Sequence, residues 1–301
     1  MPRALAAWVQ ASRPLAHAVI APPLLFGQAL AHAMHDTFSW TAFAWVQAFG
    51  VLDQLFILWV NDVTDVDADR VNRDFTRYSG GSRVLVDGKL SPSALRTGAL
   101  VVLALLIGAS GALATLGARP LVPALVAAGV LLVWAYSLPP LRMAYRGGGE
   151  LLQALGVGVN LPLFGAYVQA STLGAFPWPL LGGAFLVALG GNITTSLPDH
   201  ASDAASAKRT WSVRRGAPAA RRDSVLAIAV GVVLLAAALP TVSLAARTLV
   251  ALGACAPLAF NLPRLGAADP ADRGAWEAFL TANGAAITLA WLLAAAALVI
   301  R

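Results

Sequence analysis

The stretch Asn61-Asp62-Val63-Thr64-Asp65-Val66-Asp67-Ala68-Asp69 follows directly on the apolar run from Thr41 to Val60. Four carboxylates at the end of a hydrophobic helix repel one another and need a reason to persist. A second set, Pro198-Asp199-His200-Ala201-Ser202-Asp203, ends another apolar run. The chain therefore reads as hydrophobic helices that carry two acidic sites at their ends.

Composition agrees. Of 301 residues, 58% are hydrophobic and 12% charged, and mean hydropathy is +0.71. These values exclude an ordinary soluble domain and indicate an all-α polytopic membrane protein. A spanning helix needs roughly 20 mostly apolar residues. Nine stretches qualify: Leu15–Ala33, Thr41–Val60, Leu95–Leu116, Leu121–Leu138, Leu151–Ala170, Pro179–Leu197, Val225–Val242, Leu249–Leu262 and Ala278–Ile300. The eighth is the shortest. The first is longer than a signal h-region, with no clear cleavage site before the next span, so it is expected to be retained. The single cysteine, Cys255, excludes an internal disulfide and reads as packing.

With the N-terminus and alternate loops on one side, that side holds all but Arg119, Arg247 and Arg301 of the 21 Lys and Arg residues. The positive-inside rule makes this the cytoplasmic side, with both acidic sets there and the C-terminus opposite. The expected location is the bacterial inner membrane. The net charge of +6 is then mainly topogenic, and nucleic acid is not an expected partner.

The ends of the fourth and eighth spans, Tyr136-Ser137-Leu138-Pro139-Pro140-Leu141-Arg142 and Phe260-Asn261-Leu262-Pro263-Arg264-Leu265, look alike. They suggest a parallel four-helix repeat with one helix added. Chance is the alternative, because Pro commonly follows a helix end.

On a continuous helix Asp62, Asp65 and Asp69 share one face, whereas Asp67 points away and reads as a solvated charge. Asn192, Ser196, Asp199 and Asp203 likewise form one polar stripe, which should face a cavity. Hard oxygen donors of this kind suit Mg²⁺ bound by carboxylates together with a substrate phosphate. Zinc lacks a Cys/His set, and calcium lacks a loop of alternating ligands. The alternative is a pair of ordinary acidic helix ends neutralised by neighbouring bases. Those bases are Arg70, Arg73, Arg77, Arg83 and Lys89 after the first set, and Lys208, Arg209, Arg214 and Arg215 after the second. Most set topology; a few are suited to grip a diphosphate. Gly80-Gly81 lets backbone approach an anion closely.

Gln153, Asn160 and Tyr167 recur at seven-residue spacing, and this polar face either lines a pocket or hydrogen-bonds between helices. Asp53 is an intramembrane acid about 180° around its helix from Asp62. It is expected outside the metal cluster, with either an acid–base or a buried hydrogen-bonded role.

These segments resemble the UbiA superfamily of intramembrane prenyltransferases. Asn61-Asp62-x-x-Asp65-x-x-x-Asp69 is similar to its first aspartate-rich motif and Asp199-x-x-x-Asp203 to its second. Ser12-Arg13-Pro14, Gly80-Gly81-Ser82-Arg83, Tyr136 through Arg142, Tyr145-Arg146-Gly147 and Lys208-Arg209-Thr210 resemble the MenA-like branch, which prenylates 1,4-dihydroxy-2-naphthoate. The likeness covers nearly the whole chain, 1–301, as one membrane domain. It departs at Ser196-Leu197-Pro198, where the branch has an Asn-Leu-Arg type lead, and at Ala207, where Gly is common.

The resemblance implies transfer of an isoprenyl group from a prenyl diphosphate to an aromatic acceptor in quinone-type biosynthesis. It implies two Mg²⁺ ions on the catalytic Asp62, Asp65, Asp69, Asp199 and Asp203. Asn61, Arg13, Tyr136, Arg142, Lys208 and Arg209 would bind diphosphate, Asn160, Asn192 and Ser196 would line the acceptor pocket, and membrane lipid would surround the chain. The competing expectations are a non-aromatic or tetrapyrrole acceptor and, from another class, a transporter.

Overall fold

The computed structural model describes residues 3–73, 75, 80–265 and 273–300. Arg77 and Arg301 lie outside the described residues. All regular structure among the described residues is helical. Six helical stretches are long and apolar enough to cross a membrane: Arg3–His35, Trp40–Thr64, Pro92–Thr115, Gly149–Ala170, Leu244–Arg264 and Gly274–Val299. Val122–Ser137 and Leu180–Ser196 are apolar but shorter.

Helix ends differ from the apolar runs wherever local chemistry overrides hydropathy. The seventh run was expected from Val225, but its helix spans Ala217–Ala237 and takes in Arg221, Arg222 and Asp223. Gly216 precedes it at φ 79°, and Pro218 sits in its first turn, where a missing N–H costs nothing. The eighth is an α-helix over Leu244–Cys255 that continues as a 3₁₀ helix over Ala256–Arg264, carrying Pro257 and Pro263. The tighter winding carries the stretch past the expected end at Leu262. The first breaks at Arg13, in the left-handed region at φ 40°, before Pro14.

The packing is that of helices in a bilayer. Pro92–Thr115 turns Leu100, Leu105 and Ile107 outward, a pattern that suits lipid on one side and protein on the other. Leu180–Ser196 and Ala217–Ala237 pack closest where glycines meet. A Cβ on Gly183 would stand 2.4 Å from the Leu235 nitrogen, and one on Gly231 2.6 Å from that of Val187. Small residues let membrane helices approach until dispersion forces hold them.

One hydrophobic cluster gathers residues of the first half, such as Val46, Leu95 and Val126, and a second gathers the later helices around Val187, Ile228 and Trp291. His17–His35 and Gly149–Ala170 contribute to both. Buried amides tie the last helix to the rest. The Asn283 side-chain amide donates to Thr194 Oγ1 at 2.8 Å and accepts from Asn261 at 2.9 Å. This fixes the helix that leads to the second acidic set.

Candidate active site

A cavity of about 300 Å³ opens among the helices, with both acidic sets lining it. Asp62, Asp65, Asp69, Asp199 and Asp203 all line it. Neither set lies on one continuous helix, as the spacing argument assumed. Trp40–Thr64 ends at Asp65 (φ −105°, ψ 6°), and a short helix, Val66–Val71, follows. Leu180–Ser196 likewise stops before Pro198, and Asp199 heads a new short helix, His200–Ala205. Proline cannot supply an N–H to the preceding turn, so the break at Pro198 follows from its chemistry. The stripe nevertheless survives, because Asn192, Ser196, Asp199 and Asp203 all line the cavity. Asp67 lies outside it, exposed and paired with Arg70 at 3.0 Å.

The carboxylates are held by partners from distant segments. Arg13 pairs with Asp62, and the Ser82 hydroxyl donates to the same carboxylate. Lys208 lies 2.9 Å from Asp65 and 3.7 Å from Asp203, so one ammonium bridges the two acidic sets. The Tyr145 hydroxyl donates to Asp65 at 3.3 Å. Asp199 accepts from the Asn72 amide at 2.7 Å and from the Gly80 N–H at 3.3 Å.

Gly80 and Gly81 are both left-handed, at φ 81° and 72°. A Cβ on Gly81 would stand 2.1 Å from an Asp69 oxygen. The anion these glycines let the backbone approach is thus the protein's own carboxylate.

Burial and crowding set the charge states. Asp69 is pushed up to about 7 by burial, reinforced by the neighbouring Asp62 and Asp65. Asp203 is also raised to about 7, mainly by burial, with Lys208 opposing and Asp199 adding to the rise. Burial disfavours the Lys208 ammonium, yet Asp65, Tyr136 and Asp203 outweigh it and hold its proton above the ordinary lysine range.

The donor set fits a hard divalent cation. Carboxylate oxygens predominate, and the buried Asn61 side-chain oxygen, also on the cavity wall, has no partner. Among the described residues no three acidic, His or Cys side chains already converge as a metal cage. Arg13 and Lys208 stand between them and neutralise them instead.

The bases expected to bind diphosphate divide into two groups. Arg13, Asn61, Tyr136 and Lys208 line the cavity. Arg142 and Arg209 are not among the lining residues. Arg142, left-handed at φ 44°, stacks its guanidinium 3.7 Å from the centre of the Tyr145 ring. Arg209 is exposed, and its N–H donates to the Ala144 carbonyl at 3.1 Å.

Of the seven-residue face, Gln153 and Asn160 line the cavity. Tyr167 does not; its hydroxyl accepts from the Leu121 N–H at 3.2 Å. Asp53 lines the cavity too, nine residues and about 13 Å along the helix from Asp62. The cavity follows this helix over two and a half turns, from Asp53 through Gln54, Ile57, Leu58 and Asn61 to Asp62. Ser82, Asn72 and Tyr145 carry carboxylate contacts that spacing arguments did not assign.

A model of the UbiA prenyltransferase family matches residues 20–284. No curated protein matches the chain by sequence. Among solved structures, a UbiA homologue from Archaeoglobus fulgidus bound to GPP and Mg²⁺ is 16% identical, with a TM-score of 0.69 over 98% of this chain and 100% of that one. The apo UbiA homologue from Aeropyrum pernix K1 is 19% identical, with a TM-score of 0.68 over 94% and 97%. A digeranylgeranylglyceryl phosphate synthase is 14% identical, with a TM-score of 0.66 over the full length of both chains.

Proposed function

The chain belongs to the UbiA prenyltransferase family, and on that premise we propose that it transfers an isoprenyl group from an allylic diphosphate to an aromatic acceptor. The acceptor class is a dihydroxynaphthoate-like or phenolic acid, and the product a quinone precursor such as that of menaquinone. One observation carries the reading: two acidic sets and two partly buried bases, Arg13 and Lys208, meet at a single cavity whose remaining walls include Val19, Ile20, Leu132, Val133 and Leu161. Such a site holds a charged head beside a hydrocarbon tail.

Asp62, Asp65, Asp69, Asp199 and Asp203 would hold the metal, proposed as two Mg²⁺ ions. Bound Mg²⁺ supplies positive charge to the diphosphate as it leaves. Arg13 and Lys208 stand ready to exchange a carboxylate for a phosphate oxygen, and their charge is in place before the bond breaks. The Tyr136 ring packs against Gly149, where a Cβ would come within 2.8 Å of it, and so lies on the same wall. The allylic C–O bond breaks, and its electron pair leaves with diphosphate. The ring's π electrons form the new C–C bond, and the ring regains aromaticity by losing a proton, or carbon dioxide where the attacked carbon bears a carboxylate. The apolar walls exclude water that would quench the cation. Asn160, Asn192 and Ser196 offer polar contacts to the acceptor, and Asn192 Nδ2 is buried without a partner.

We further propose one membrane domain over 1–301, nine spans built around a parallel four-helix repeat, and a bacterial inner membrane with the acidic sets cytoplasmic. In support, eight apolar helical stretches together with Ala217–Ala237 fall on the nine expected runs. A second acceptor reading, a lipid-like alcohol, draws on the fold similarity to the digeranylgeranylglyceryl phosphate synthase.

The test is purified protein with labelled geranyl diphosphate, Mg²⁺, and separately 1,4-dihydroxy-2-naphthoate, 4-hydroxybenzoate or a glycerophosphate lipid. Mg²⁺-dependent prenylation of an aromatic acid supports the proposal, and product from the lipid alone selects the second reading. Neither product nor diphosphate release would overturn both and favour a transport role.

A further inference from the structure

The deep end of the cavity holds polar groups that metal and diphosphate do not use. Asp53 is only 7% exposed and Gln54 only 6%, yet both line the cavity. The side chain of neither makes a hydrogen bond or ion pair among the described residues. Asp53 precedes Asp62 by nine residues on the unbroken helix Trp40–Thr64, which places it about 13 Å farther into the bundle.

Asn160 lines the same cavity; its amide nitrogen donates to the Leu125 carbonyl at 3.2 Å, and its side-chain oxygen makes no hydrogen bond among the described residues. Asn160 ends a π-helical turn, Gly156–Asn160, a winding that is common at functional sites. Gly129 lies between the two: a Cβ there would stand 3.2 Å from Asn160 Nδ2 and 3.9 Å from Asp53 Oδ1.

A charged or polar group left unpaired inside a membrane protein is costly, and when it faces a cavity it calls for a ligand. The prenyl tail is hydrocarbon and offers no partner. Diphosphate is anionic and belongs with the bases at the mouth. The acceptor is the one reactant left, and the Asp53 carboxyl and the Asn160 oxygen offer it hydrogen-bond acceptors.

We propose that Asp53, with Asn160 and Gln54, is a specificity-determining subsite that accepts a hydrogen bond from a ring hydroxyl of the acceptor, the one remote from its acid group. This rests on the prenyl-transfer reading above. It also sets the acceptor's orientation: the carboxylate turns toward the cations Arg13 and Lys208, and the remote hydroxyl turns inward. As the ring gives up electron density to the allylic carbon, that O–H becomes more acidic and its bond to Asp53 strengthens, so the contact favours the transition state over the bound substrate.

The experiment compares the native protein with Asp53→Val on two acceptors, 1,4-dihydroxy-2-naphthoate and 1-hydroxy-2-naphthoate, which lacks the remote hydroxyl, using geranyl diphosphate and Mg²⁺. The variant is expected to lose about 10- to 100-fold in kcat/KM on the dihydroxy acid, as for a hydrogen bond to a charged group. On the monohydroxy acid it should stay within about twofold, and KM for geranyl diphosphate should not change. Asp53→Asn keeps the shape and one acceptor oxygen, is expected to fall between, and carries the same comparison if the valine variant does not fold. Equal losses on both acceptors, or no loss on either, would overturn the subsite while leaving prenyl transfer standing. Absence of transfer by the native protein to any acceptor would overturn the parent reading and the subsite with it.

Discussion

Replacing Lys208 by methionine removes the one cation that, among the described residues, joins the two acidic sets, while keeping most of the side-chain volume. Its side chain is 11% exposed, and those of Asp65 and Asp203 are 9% and 7%, so solvent does little to screen the loss. Removing one partner of a buried ion pair costs about 3–5 kcal/mol. Here the cost is lower, for a structural reason. Asp203 is already raised to about 7, so near neutrality it takes up a proton cheaply. The uncompensated charge is that of Asp65, which keeps its bond from Tyr145 at 3.3 Å. The expected loss is about 2–3 kcal/mol without Mg²⁺. For a chain of this size that lowers the unfolding midpoint by roughly 3–5 °C.

Mg²⁺ should restore most of this. In the native protein a metal must displace the Lys208 ammonium from Asp65, whereas in the variant the carboxylates stand open to it. The assay is thermal unfolding in detergent, followed by fluorescence of the nine tryptophans, across a Mg²⁺ titration. The gap between native and Lys208→Met should close as Mg²⁺ saturates. A gap of equal size at zero and saturating Mg²⁺ would show that Lys208 is simple packing and refute the reasoning.

Three further outcomes follow from the same geometry. Gly81→Ala imposes a left-handed alanine, at about 1–2 kcal/mol, and drives its methyl into Asp69; the Mg²⁺ concentration for half-maximal activity should rise at least about tenfold, read from the metal dependence of turnover. Asp69 and Asp203, both raised to about 7, must shed a proton to bind metal, so apparent Mg²⁺ affinity should fall below pH 7 by up to about tenfold per pH unit for each group and level off above it. The metal-free fold runs the other way: it retains protons that the unfolded chain gives up near pH 4, so its stability should fall as pH rises from 4 through 7. Calorimetric Mg²⁺ titration and metal-free melts, both between pH 5.5 and 8.5, check the two signs.

Hydropathy located the apolar stretches because length and composition decide a span, and the acidic sets were visible because four and two aspartates beside such runs are conspicuous. Helix ends were less legible. The breaks at Asp65 and Pro198 turn on local backbone geometry, and they reorient each set without removing any of Asp62, Asp65, Asp69, Asp199 or Asp203 from the cavity.

The contacts that organise the site are long-range, and spacing is blind to them. Asn72 meets Asp199 across 127 positions, and Lys208 meets Asp65 across 143. Arg142 and Arg209 were singled out because they sit in motif-like segments, but a left-handed backbone turns Arg142 onto Tyr145 and Arg209 faces outward. Helical arithmetic placed Asp53 opposite Asp62 correctly; it could not say how wide an arc the cavity covers.

The central claim is that both acidic sets act as one unit on one metal-bound diphosphate. The direct measurement is single-turnover transfer from geranyl diphosphate by Asp65→Asn, Asp199→Asn and the double variant, each checked for folding by its unfolding midpoint. If the sets form one unit, each single variant loses at least about 10³-fold and the double loses little more. Near-full activity in either single variant, or losses that multiply in the double, would contradict it.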